Sequence, residues 1–162
     1  TRGTSRDEYA AYTESPDAYQ RNMERLQLKW QTARQLVPEA EIVCRGGSVG
    51  VLYFGTTSLP IQEALDKLAV KGISLDTCRV RAFPFGDEVE AFVTEHDLMF
   101  VVEQNRDGQM RTLLINELQT NPAKLIPILY FAGLSISADF IDTHISAYYE
   151  EHKLARLSEV KS

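Results

Sequence analysis

Three short polar runs hold most of the side chains that could bind or transform another molecule: Gly55-Thr56-Thr57-Ser58, Arg81-Ala82-Phe83-Pro84-Phe85-Gly86-Asp87, and Glu103-Gln104-Asn105-Arg106-Asp107-Gly108-Gln109. The third is the densest, with two acids, an arginine and three side-chain amides around a glycine. A loop so rich in directional hydrogen-bonding groups serves a ligand, a partner surface or a turn network of its own. All three readings stay open, and Asp107 ahead of Gly108-Gln109 is also placed to cap a following helix. Arg79 and Arg81 lie two apart in a strand-like run, so they face the same way, an arrangement that suits a phosphate-bearing ligand. Balance of that pair by Asp87, Glu88 and Glu90 on the neighbouring helix is the simpler explanation.

Other chemistries find little support. Neither a G-x-G-x-x-G run nor a G-x-x-x-x-G-K-[ST] run occurs, which argues against nucleotide hydrolysis. His96, His144 and His152 have no metal-ligand spacing and no serine-centred elbow near them, and His96 beside Asp97 reads as a helix-terminal cation. Cys44 and Cys78 are far apart in strand-like contexts and read as buried thiols, so an iron–sulfur cluster cannot be housed by this chain alone.

These loops need elements to hold them. Ser15-Pro16-Asp17 is a helix start, followed by Tyr19, Met23, Leu26, Trp30, Ala33 and Val37 at alternating spacings of four and three, with Pro38 as the stop. That seam predicts a long helix docked lengthwise, with core packing favoured over a partner surface. EIVCR, Gly46-Gly47 and VGVLYF predict an antiparallel hairpin. A helix through Ile61, Leu65 and Leu68 stops near Gly72, and LDTCRVRAF is the next strand. A helix with Val89, Phe92 and Val93 leads to LMFVV, which is apolar enough to be the sheet centre. Met110, Leu113, Leu114 and Leu118 mark another helix, ILYF a strand with Pro127 at its edge, and Ser137 caps a last helix through Phe140, Ile141, Ile145 and Tyr148. Strand and helix alternate throughout, which predicts an α/β class: a three-layer α/β/α domain, mostly parallel, with one antiparallel strand. The organisation expected is an extended arm over 1–14, an α/β domain over 15–150 and a solvated or frayed tail over 151–162.

The 162 residues carry 17 Lys plus Arg against 23 Asp plus Glu, a net charge of −6, with 44% hydrophobic residues. That is one well-cored domain, and its acidity argues against nucleic acid or an anionic membrane as partner. With no apolar run of membrane-spanning length and no charged-then-apolar leader, the chain reads as cytoplasmic. Its start at Thr1, with a polar, aperiodic opening, reads as an internal segment of a longer polypeptide or as a processed tail.

TRGTSRDEYAAYTES followed by YQRNMERL, VRAFPF, VVEQNRDGQM and GLSISA closely resembles the C-terminal part of the alpha subunit of 2-oxoacid:ferredoxin oxidoreductases, particularly the 2-oxoglutarate type. The resemblance runs from Thr1 to about Tyr149, and VVEQNRDGQM is its most specific piece. It implies a fold like the C-terminal domain of transketolase, with an N-terminal arm and a long helix. It also implies a holoenzyme that uses thiamine diphosphate, Mg2+, iron–sulfur clusters and coenzyme A to decarboxylate a 2-oxoacid and pass electrons to ferredoxin. None of the motifs for those groups is present, so the resemblance implies a non-catalytic domain that binds no cofactor alone. Its partners would be the rest of the alpha subunit, a beta subunit carrying thiamine diphosphate and iron–sulfur clusters, and ferredoxin through the holoenzyme. The family's runs fall on Arg81, Phe83, Pro84 and Phe85 and on Glu103, Asn105, Gly108 and Gln109; with Arg79 and Arg106 these are the expected interface or ligand residues. Arg6 departs from the histidine common in the family's arm, and no acid–base role is assigned to it. The alternative is a stand-alone module for an anionic ligand, coenzyme A or a nucleotide, or for a protein partner.

Overall fold

The computed structural model describes residues 4–159, with side chains through His152. The chain groups into two compact units, the first running to Pro38 and including Ala82–Gly86, the second formed by Glu39–Arg81 and the chain from Asp87 onward.

In the first unit, β1 (Ser5–Arg6) pairs antiparallel with β2 (Tyr12–Thr13), so a small hairpin stands where an extended arm was expected. Asp7 makes its turn: one carboxylate oxygen accepts the Tyr9 and Ala11 amides, both at 2.9 Å. Helix α1 (Pro16–Leu36) follows, with the Ser15 hydroxyl accepting the Ala18 amide and proline in the first turn. Asn22 of α1 donates to Ser5 and to the Arg6 carbonyl, holding the hairpin to the helix. Core packing of the α1 seam is not what the structure shows. Tyr19, Met23, Leu26 and Trp30 are each more than a third exposed, and only Ala18 of this helix is buried.

The second unit carries a five-stranded sheet in the order β3-β5-β4-β6-β7: β3 (Glu41–Val43), β4 (Val49–Phe54), β5 (Asp76–Val80), β6 (Leu98–Glu103) and β7 (Leu125–Leu129). All neighbours are parallel except β3 and β5. One antiparallel strand is present as expected, but β3 pairs with β5 and not with β4. The reason lies in the turn: Asp76, opening β5, accepts the Arg45 amide at 2.7 Å and the Gly47 amide at 3.5 Å. The turn is thereby anchored to β5, and five residues lead the chain past that strand to β4. β4 is the middle strand; β6, expected there, lies one place outward, though its side chains are buried on both faces as its composition requires.

Helices α2 (Ile61–Val70) and α5 (Ala138–Glu159) pack together on one face, where Val51, Tyr53, Phe100, Val102 and Ile128 of the strands meet Leu65, Leu68, Ile141 and Ile145. α5 runs past the point where the tail was expected to begin. Helices α3 (Asp87–Glu95) and α4 (Gln109–Leu118) belong to the opposite face. There Gly50 is indispensable: a Cβ at that position would stand 2.9 Å from the Phe92 ring and 3.3 Å from the His96 ring. The result is the three-layer α/β/α arrangement expected. Each large apolar side chain taken wholly out of water contributes about 1.5–3 kcal/mol, so this two-sided core dominates the unit's stability.

Candidate functional site

Four strands of this sheet run parallel, so their carboxyl ends share one edge, where open α/β folds gather loops and helix N-termini. Glu103 closes β6 at that edge and is completely buried. The loop after it turns back so that the first turn of α4 aims its unpaired amides at the strand end. The Glu103 carboxylate accepts the Met110 amide at 2.6 Å, the Arg111 amide at 2.9 Å and the Asn105 side-chain amide at 2.8 Å. The Asn105 oxygen in turn accepts the Asp107, Gly108 and Gln109 amides at 3.1, 2.8 and 3.3 Å. Gly108 supplies the left-handed backbone (φ 63°) that lets the loop enter the helix.

This network has a direct chemical consequence. The positive end of α4, where an anion would otherwise bind, is filled by the chain's own carboxylate. Glu103, Asn105 and Gly108 are brought together and spent on the turn. Asp107 makes no bond to the helix amides; it pairs with Arg106 Nε at 2.7 Å, and Glu103 with Asn105 does the capping. Arg106 and Gln109 face solvent. Gln104 crosses from this loop to the one after β4, donating to the Thr56 and Thr57 hydroxyls at 2.9 and 3.2 Å. The first and third polar runs are thus tied together. Of the second run, Ala82–Gly86 groups with the first unit.

Arg79 and Arg81 do face the same way, and one acid serves both. Glu41 of β3 sits 3.0 Å from Arg79 Nη1 and 3.6 Å from Arg81 Nε. This balancing acid comes from the adjacent strand, in register with Arg79. In the first unit, Phe83 stacks edge to face on Trp30 and on Phe85, with centroids 5.2 and 5.1 Å apart, while Pro84 and Phe85 are buried. Those aromatic positions hold structure together.

Asp76 and His96 lie at the opposite edge of the sheet. His96 follows α3 as expected, but it is buried, with Nδ1 2.7 Å from the Phe92 carbonyl and Nε2 3.2 Å from Asp76 Oδ2. Burial alone would raise the Asp76 carboxyl, but the Arg45 amide, His96 and the Gly47 amide outweigh it and hold the group below its ordinary range. Cys78 is buried as expected, and burial, with Glu88 and Cys44 nearby, pushes its thiol up to about 12. Cys44 is exposed, a correction to the expectation of two buried thiols, because it lies beyond the paired part of edge strand β3. Among the described residues no three His, Cys, Asp or Glu side chains could hold a metal ion, and no helix is long and apolar enough to cross a membrane.

Sequence reasoning missed Glu41, the Gln104 bridge and the His96–Asp76 pair. None left a local signal: Glu41 lies 38 residues from Arg79, with β4 between their strands in the chain.

No protein-family model matches the chain. Subunit alpha of 2-oxoacid:ferredoxin oxidoreductase 2 from Aeropyrum pernix is 33% identical over 118 residues, covering 69% of this chain and 18% of that protein. Among solved structures, a 2-oxoglutarate:ferredoxin oxidoreductase from Magnetococcus marinus, with 2-oxoglutarate, coenzyme A and succinyl-CoA bound, matches 88% of this chain and 25% of its own, with TM-score 0.73 and 22% identity. That likeness is one of fold. The alpha chain of a probable 2-oxoacid ferredoxin oxidoreductase from Thermoplasma acidophilum aligns more loosely, with TM-score 0.44. The chain spans about a fifth of the curated relative's length.

Proposed function

Related in sequence to the alpha subunit of a 2-oxoacid:ferredoxin oxidoreductase, the chain is, we propose, a part of such a subunit that helps assemble the enzyme and wall its active site without carrying out chemistry itself. The reaction served is the oxidative decarboxylation of a 2-oxoacid, most specifically 2-oxoglutarate, to an acyl-coenzyme A with electrons passed to ferredoxin. The thiamine diphosphate, Mg2+ and iron–sulfur groups that supply this chemistry belong, on this reading, to other domains or to a beta subunit.

The observation that carries the reading is the fate of the VVEQNRDGQM run. Its buried carboxylate and amide are consumed inside the chain, which leaves Arg106, Gln109 and the Gln104–Thr56 bridge as the outward surface of the loop. A run spent on shaping a rim fits a wall or a contact better than a reacting centre. The Arg79–Glu41–Arg81 cluster supports the same reading, because a carboxylate of the sheet already bridges both arginines.

Calorimetric titration of the chain with magnesium–thiamine diphosphate and, separately, with coenzyme A tests this. Neither should give saturable heat. Thiamine diphosphate binding would defeat the reading, and coenzyme A binding abolished by Arg79→Ala with Arg81→Ala would turn it toward a ligand-binding module.

A further inference from the structure

Lysines and arginines fare differently in the two units. In the second, every described lysine or arginine side chain meets a carboxylate or a backbone carbonyl. In the first, Arg34 is engaged, and Arg6 lies over the Tyr12 ring, 6.0 Å from its centroid. Arg21, Arg25 and Lys29 make no hydrogen bond, ion pair or ring contact among the described residues, and all three are exposed. They stand four apart on α1, so each lies one turn and about 6 Å beyond the last, and together they form a cationic stripe about 12 Å long. Asp17, one turn before Arg21, and Glu24, beside Arg25, do not pair with them; Glu24 instead accepts the Gln20 amide at 2.8 Å. In a chain of net charge −6 carboxylates are plentiful, yet this stripe is left without one.

The surroundings of the stripe say what answers it. A groove of about 380 Å³ is lined by Asp7, Glu8, Ala18, Arg21, Asn22 and Arg25. Asp7 has one oxygen committed to the Tyr9 and Ala11 amides, whereas Glu8 makes no bond among the described residues. Nucleic acid or an anionic lipid surface would set phosphates against these two acids as well as against the arginines, and the net charge of the chain would oppose it further. A protein segment can answer both signs, with carboxylates toward the stripe and a lysine or arginine toward Glu8.

We propose that the Arg21–Arg25–Lys29 stripe is a docking face for an acidic segment of another subunit or domain of the oxidoreductase, with carboxylates one helical turn apart. The inference rests on the assembly reading above and adds which residues make the contact and which charges meet them. Exposed ion pairs are individually weak, so the stripe steers docking and selects the partner more than it holds it.

The test is surface plasmon resonance of the chain on an oxidoreductase whose alpha subunit lacks the matching segment, run for the parent and for Arg21→Glu combined with Arg25→Glu and Lys29→Glu. At low salt the reversed chain should associate at least tenfold more slowly, with an unchanged circular dichroism spectrum. That difference should vanish at about 1 M sodium chloride, where charges are screened within about 3 Å. Carbodiimide coupling of the parent complex should join the Lys29 amine to a glutamate or aspartate of the partner, located by mass spectrometry, and Lys29→Arg should lose that link while keeping the association rate. Equal rates for the parent and the reversed chain, a deficit that salt does not remove, or no link at Lys29 would each overturn the proposal. Binding of the parent to single-stranded DNA or phosphatidylserine vesicles more tightly than to the truncated enzyme would overturn it as well. A parent chain that does not bind the truncated enzyme at all defeats the assembly reading itself, whereas equal rates leave that reading standing, so the two failures are told apart.

Discussion

Glu103 is where the chemistry of the carboxyl edge is decided. Replacing it by alanine strips two helix-end amides and the Asn105 side chain of their acceptor; unpaired buried groups cost about 1–3 kcal/mol each, so Glu103→Ala should destabilise by about 2–4 kcal/mol in urea unfolding. Arg106→Ala, on an exposed side chain paired only with its neighbour, should stay within about 0.5 kcal/mol. Equal losses for the two would mean that the loop is not built as described. Asp76 gives the chain an acid-sensitive point. Its carboxyl is held low in the folded state, so its contribution to stability is complete above the ordinary carboxylate value of about 4 and is lost as pH falls through the lower folded value. Unfolding midpoints measured from pH 6 to 2 should drop more steeply for the parent chain than for Asp76→Asn. Of the two thiols, Cys44 should be alkylated at once in the native protein, while Cys78, buried and pushed up to about 12, should react only on unfolding, as mass spectrometry of timed samples would show.

From α1 onward the order and type of the helices and strands were legible because each is marked by apolar period and punctuated by capping residues, glycine or proline, as at Ser15, Gly72 and Ser137, whereas the short β1–β2 hairpin has no such period. Pairing partners were less so. Gly46-Gly47 looks like a hairpin turn in any window of ten residues, yet Asp76, some thirty residues on, takes the turn's amides and inserts β5 between the two strands. The α1 seam misled in the opposite way: its periodicity is real, but periodicity says that a face will be covered and not by what. Likewise the Glu-x-Asn-x-x-Gly-Gln run stood out by composition, while its use as a cap depends on a strand end meeting a helix start in space. Gly50 is silent in sequence and constrained in structure. Gly50→Ala should push into Phe92 and His96 and cost about 1–3 kcal/mol, with hydrogen exchange accelerated in α3 and at the amides of Arg45 and Gly47.

For the molecule as a whole, the sheet unit supplies rigidity, the carboxyl-edge loops supply a rim tied by its own hydrogen bonds, and α1 carries a half-exposed apolar stripe. On the assembly reading proposed above, such a division of labour fits a part of a larger enzyme, and the chain spans less than a fifth of the curated relative it matches. The measurement that bears most directly on it is 2-oxoglutarate- and coenzyme A-dependent reduction of a viologen dye by an oxidoreductase whose alpha subunit lacks the matching segment, with and without this chain supplied separately. The account predicts no turnover by the chain alone, little by the truncated enzyme, and recovery when the two are combined. Turnover by the chain alone, or a truncated enzyme as active without the chain as with it, would contradict it.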